Sequence, residues 1–158
     1  MKDPIKKYFQ VGTIQWMTHP PVNYPILDSV KTICCDEYFN ALEITHIEDQ
    51  ETKDKVRDML AQSHMKVCYG AQPRLGPKLN PNDLDEEGRK KAEAVLMDSI
   101  DEARYMGAKG IAFLAGKWEP ETKDQAYAQL LKTTRAVCGY AASKGMMVEL
   151  EVFDFDMD

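Results

Sequence analysis

Apolar residues recur along this chain with two different periods. In short stretches, most clearly 40–45 and 148–153, they fall at every second position, the period of a strand with two unlike faces, and the other short apolar runs also read as strands. In four longer stretches they fall three and four apart, the period of a helix with one buried side. Residues 8–14 read as the first strand. Residues 15–25 read as a loop whose prolines forbid helix or ladder. Residues 26–36 read as a helix, with Ile26, Val30 and Ile33 on one side. Residues 40–45 form a second short strand that sends Leu42 and Ile44 one way and Glu43 and Thr45 the other. Residues 51–63 are a charged helix with a stripe of Val56, Met59 and Leu60. Residues 65–71 are the third strand, and the polar stretch 72–82, with Pro73, Gly76, Pro77 and Pro81, reads as a long loop of the kind that more often serves function than idles. A long helix over 83–106 follows, and Gly107 caps it. Residues 109–115 are the fourth strand. Thr122-Lys-Asp-Gln125 has the form of a capping box and opens a helix that runs to about residue 144, where Gly145 ends it. The last stretch alternates again: Val148, Leu150 and Val152 on one face, Glu149, Glu151 and Phe153 on the other.

The order is βαβαβαβαβ, and three short helix-to-strand joints (63–67, 106–111 and 143–148) return the chain for a parallel strand. Right-handed crossovers of this kind generate either a doubly wound sheet or an arc of a barrel. A doubly wound nucleotide binder wants a glycine-rich turn after its first strand, and a receiver domain wants an acidic pair there. Residues 13–21 contain neither. A doubly wound domain of this size also closes on a helix, whereas here the last element is a strand. A (β/α)8 barrel needs about 250 residues. The chain therefore reads as one domain, residues 1–158, a truncated parallel (βα)4β segment of a TIM barrel, with a small doubly wound flavodoxin-like sheet as the alternative. In a barrel Glu149 and Glu151 face inward, Glu149 as a buried structural acid and Glu151 near the C-terminal rim where such barrels keep their active sites.

Composition narrows the partners. A net charge of −6 argues against non-specific nucleic-acid binding, which needs a basic surface. No apolar run approaches the ~20 residues of a membrane span, and the N-terminus lacks the apolar core of a signal peptide. The four cysteines, Cys34, Cys35, Cys68 and Cys138, form no Cys-x-x-Cys and read as buried thiols of a cytoplasmic protein.

Four stretches carry a resemblance. Val148-Glu-Leu-Glu-Val, preceded by Ala141-Ala-Ser-Lys-Gly, resembles the fifth strand of the xylose-isomerase-like TIM-barrel superfamily, which holds sugar phosphate isomerases and epimerases and endonuclease IV. Gly12 leading into Gln15-Trp16, the inward acid of Ala41-Leu-Glu-Ile-Thr, and the run from Ala103 to Ile111 are similar to its N-terminal half. The resemblance implies that Glu151 is a ligand of a divalent metal (Mn, Mg, Co or Zn) and a catalytic group. The family's other ligands sit on later strands that have no counterpart here. It implies a metal-dependent isomerase or epimerase of a sugar or sugar phosphate, since a metal bridging two substrate oxygens stabilises developing enediolate charge while carboxylates move protons. The chain alone is then expected to be inactive or nearly so.

Trp16, Glu43, His46 and Trp118 are the candidates for lining the sugar pocket: Trp16 and Trp118 end the first and fourth strands, where aromatic faces pack on sugar C–H groups, and His46 follows the second strand. Loop anchors and an exposed loop histidine are the plainer readings of these three. His64, at a helix-to-strand joint, reads as structural. Arg74 and Lys78 are candidates for meeting a substrate phosphate or carboxylate, with solvation as the simpler role. The scarcity of histidine (His19, His46, His64) and the acidic charge argue against the endonuclease branch, whose zinc cluster uses several. Asp154, Asp156 and Asp158 lack the spacing of a calcium loop. The rival account is a non-catalytic α/β interaction domain that pairs with a partner or itself through the exposed edges of its first and last strands.

Overall fold

The computed structural model describes residues 7–151. Five parallel strands, β1 (Gly12–Ile14), β2 (Ala41–Ile44), β3 (Lys66–Gly70), β4 (Gly110–Leu114) and β5 (Met147–Glu151), lie side by side in sequence order. That order decides between the two architectures. A doubly wound sheet reverses its direction of growth at a switch point, whereas here each strand adds to the same side of the last, as in the arc of a TIM barrel. The helices are α1 (Gln15–Thr18), α2 (Ile26–Cys34), α3 (Gln50–Ser63), α4 (Gln72–Leu75), α5 (Glu86–Tyr105) and α6 (Lys123–Ser143). Val30, Val56, Leu96, Ile100 and Val137 bring the helices onto Leu42, Ile44, Tyr69, Ile111 and Phe113 of the sheet, all at most 1% exposed. Strand registry puts the residues between them, Glu43, Cys68, Gly70, Ala112, Glu149 and Glu151, on the opposite face, the concave side of the arc.

Local chemistry sets the element ends. Asp49 and Asp85 accept hydrogen bonds from the Thr52 and Gly88 amides and cap α3 and α5. Gly107 and Gly145 turn the chain with positive φ of 86° and 70° after α5 and α6. His64 closes α3 in the same left-handed region, with φ of 57°. The expected capping box does not form. The Thr122 hydroxyl bonds instead to the carbonyl of Glu119, inside a 3₁₀ turn over Pro120–Thr122, so α6 starts without a side-chain cap.

Four further expectations need correction. One helical turn, α1, fits into 15–18 because the prolines of that loop begin only at Pro20. A second turn, α4, opens the loop after β3, with Pro73 at its start, where a missing N–H is harmless. The cysteines are free, but Cys35, Cys68 and Cys138 are exposed and Cys34 is half-buried. Glu149 is exposed on the concave face. Among the described residues no helix is long and apolar enough to cross a membrane. Val152, Phe153 and the acidic tail of Asp154, Asp156 and Asp158 lie outside the described residues.

Candidate active site

The C-terminal ends of the strands converge on Gly70, the last residue of β3. A Cβ added there would collide with the Trp16 ring and lie 2.5 Å from Gln72 Oε1 and 2.7 Å from Glu43 Oε1. The missing side chain is therefore the space into which three groups from three segments turn. Trp16 arrives from α1, directly after β1. Glu43 comes from the concave face of β2. Gln72 opens α4, where the backbone turns from extended to helical at Ala71 and brings the amide back over Gly70. Gln72 Nε2 then donates to Glu151 Oε2 at 2.5 Å, linking the start of α4 to the end of β5.

The electrostatics of this cluster are unsettled in a useful way. The buried Oε1 atoms of Glu43 and Gln72 have no hydrogen-bond partner. Burial, followed by repulsion from the carboxylates of Glu151 and Glu149, pushes the Glu43 carboxyl up to about 7. Glu43 thus exchanges its proton near neutrality, the range in which a carboxyl serves as both acid and base.

Glu102, on α5 and on the other side of the sheet, shows the opposite arrangement. It accepts hydrogen bonds from Tyr69 Oη at 2.8 Å and from the Ile47 amide at 3.2 Å, and pairs with Lys53 Nζ at 3.0 Å. His46 Nδ1 lies 2.6 Å from the same carboxylate and His46 Nε2 lies 3.0 Å from Glu48. Arg74 donates to Ser99 Oγ at 3.1 Å and stands 3.9 Å from Glu102. Burial opposes ionisation of Glu102, but the donors around it outweigh burial and hold its carboxyl below the usual range.

Of the residues singled out from sequence, the structure brings Trp16, Glu43 and Glu151 together. It sets His46 apart, on the Glu102 side. Trp118, half-buried in the loop after β4, lies under the Lys123 ammonium, 5.4 Å from the ring centroid. Arg74 turns away toward α5, and Lys78 is exposed. Gln72 and Gly70 were not foreseen as site residues. For Gly70 the β3 alternation puts it in one row with Cys68; for Gln72 the sequence carries no such signal, because the backbone leaves the strand at Ala71.

The pattern of the xylose isomerase-like TIM barrels matches residues 36–158. This chain belongs to that family. Its fold is similar to that of a D-psicose 3-epimerase from Clostridium cellulolyticum H10 (TM-score 0.76, 16% identity, 95% of this chain and 54% of that one). It is also similar to a 3-keto-D-glucoside 4-epimerase from E. coli (TM-score 0.74, 19% identity, 94% and 58%). A third similar structure is an AP endonuclease of family 2 from Brucella melitensis (TM-score 0.68, 15% identity, 94% and 57%). At these identities the likeness carries the fold alone. The chain spans a little over half the length of these solved structures. A search of curated proteins found no match.

Whether the donors suit the metal implied by the family turns on their chemistry. Glu151, Glu43 and the unpartnered Gln72 carbonyl are hard oxygen donors gathered at one place, the kind that Mg²⁺ or Mn²⁺ prefers. A cation would also relieve the repulsion that raises Glu43. The set fits in kind but is short in number: among the described residues no three His, Cys, Asp or Glu side chains form a group able to hold a metal.

Proposed function

We propose that this chain supplies part of the active site of a cytoplasmic, divalent-metal-dependent isomerase or epimerase acting on a sugar or sugar phosphate. The observation that carries the reading is the convergence of Glu151, Glu43, Gln72 and Trp16 over Gly70 at the C-terminal rim of the barrel arc. Glu151 would hold a Mn²⁺, Mg²⁺, Co²⁺ or Zn²⁺ ion, with Gln72 fixing its orientation. When bound, the ion stabilises negative charge that develops on substrate oxygens. Glu43 takes or returns a proton at the substrate near neutral pH. Trp16 offers its ring to the C–H face of the sugar. Trp118 shapes the surrounding rim, and His46 supports it from the helix side through Glu102.

One or two carboxylates leave a divalent ion loosely held, so the isolated chain is proposed to bind sugar and metal weakly and to turn over little or nothing. β1 and β5 are the open edges of the described sheet, and pairing through them with another segment is part of the same proposal.

The test is binding, which does not depend on turnover. In a Trp118→Phe background, a panel of ketohexoses and their phosphates should alter the emission of Trp16. Mn²⁺ should strengthen that response, and Glu151→Gln should remove the Mn²⁺ effect. If no sugar perturbs Trp16 and calorimetry detects no Mn²⁺ binding that depends on Glu151, the reading fails.

A further inference from the structure

Beside the carboxylate cluster lies a cavity of about 510 Å³, enclosed by α4, the loop that follows it and the loop after β4. One of its wall residues belongs to the candidate site and a second lies next to it. Gln72 is the hydrogen-bond partner of Glu151, and Leu114 is the β4 residue in register with Glu151. The cavity therefore adjoins the carboxylate cluster through Gln72 and Leu114.

Its lining has the wrong chemistry for more sugar. Leu75, Leu79, Leu114, Pro73, Pro77 and Pro81 make most of the wall, which carries no carboxylate, and its only cation is Lys117. Hydroxyl groups placed against these six residues would lose hydrogen bonds to water, and the polar side chains of the wall are three, Gln72, Asn80 and Lys117. A phosphate would meet one lysine, because the Arg74 guanidinium is spent on Ser99 and Glu102. The loops that build the cavity are held together. Asn80 Nδ2 donates to the carbonyl of Lys117 at 2.9 Å and Asn82 Nδ2 to that of Gly116 at 3.0 Å. Gly116, with φ of 93°, leaves just the room that the Asn80 amide occupies.

We infer that this cavity is a subsite for an apolar substituent on the ligand, so that a sugar carrying an apolar group binds more tightly than the bare sugar or its phosphate. The inference rests on the sugar reading above for what occupies the neighbouring carboxylate cluster. It rests on the cavity alone for the apolar group. Burying a ring-sized apolar group in such a site is worth at least about tenfold in affinity.

The probes are phenyl β-D-glucopyranoside, D-glucose and phenol, followed by saturation-transfer NMR and calorimetry on the whole chain. Phenyl glucoside is expected to bind about tenfold or more tighter than glucose, and phenol to compete with it. Leu79→Asp places a charge in the wall, and Pro77→Trp, at an exposed position, fills the mouth with little risk to folding. Each should cancel the gain. Equal affinities for the glucoside and glucose overturn the subsite and leave the sugar reading intact. A gain that survives both variants also overturns it, since the phenyl group then binds elsewhere. Competitive binding of phenol and the glucoside, lost in both variants, with glucose silent, upholds the apolar subsite and counts against the sugar reading.

Discussion

Two carboxylates on opposite faces of the same sheet have opposite surroundings. Glu102 is ringed by donors: the Tyr69 hydroxyl, the Ile47 amide, Lys53 and His46. Glu43 has a buried oxygen with no partner and two acidic neighbours. The first arrangement ties α5 to the ends of β2 and β3 and holds the carboxyl ionised. The second leaves a carboxyl unsatisfied at a point open to the concave side. An unmatched buried acceptor is a cost to the fold, so the contrast separates a carboxylate that builds the rim from one whose surroundings give it no structural partner, which is why Glu43 is the one proposed above to move a proton.

The largest break in that contrast should come from Glu102→Ala. It strands Lys53, the Tyr69 hydroxyl and the Ile47 amide at a site where the Glu102 side chain is only 8% exposed. A loss of about 3 kcal/mol in urea unfolding is expected, the scale for removing one partner of a buried ion pair. Near-zero loss would mean that water satisfies those donors.

Gly70→Ala tests the other face. Its Cβ would enter the Trp16 ring and crowd Gln72 and Glu43, so a loss of about 2 kcal/mol is expected from overpacking. A shifted Trp16 emission, in a Trp118→Phe background, should accompany it. An unshifted spectrum would show that the ring has room to retreat.

The pH profile sharpens the comparison further. Glu43 has a folded value raised from 4.5 to about 7, so the folded state binds the extra proton. Its contribution is fully present below pH 4.5 and is lost as pH rises through about 7. Glu102 is lowered, so its contribution is present above its ordinary value and is lost as the pH falls through its folded one. Glu43→Gln should flatten the neutral limb and leave the acid limb unchanged. The flattening should be about 1 kcal/mol, a figure reduced for the solvent that reaches this group. A neutral limb that persists in the variant would assign it to another group.

The smallest effect expected is that of His46→Ala. Lys53, Tyr69 and the Ile47 amide still serve Glu102, so the loss should be about 0.5–1 kcal/mol in the same urea assay. A loss equal to that of Glu102→Ala would make His46 the indispensable donor instead.

Much of this architecture was legible in the chain itself. Period-two alternation in 41–44 and 147–151 put Glu43 and Glu151 on the face away from Leu42, Ile44 and Val148, and the helix-to-strand joints established parallel strands. These signals are local, because a strand's two faces and a helix's stripe are properties of neighbouring residues. Thr122-Lys-Asp-Gln125 shows the limit: its pattern is right for a capping box, but Pro120 and the carbonyl of Glu119 draw the threonine into another turn.

What only the tertiary structure decided is which residues meet. Gln72 reaches Glu151 across 79 positions of sequence, and His46 reaches Glu102 across 56. His46 and Glu43 sit three residues apart, yet one joins the helix-side network and the other the concave cluster. The direction of a side chain just beyond a strand end depends on what packs there, here Glu102 brought in by α5. Gly70 matters for the same reason. Nothing in its neighbours announces that a tryptophan, a glutamate and a glutamine from three separate segments converge where its side chain is missing.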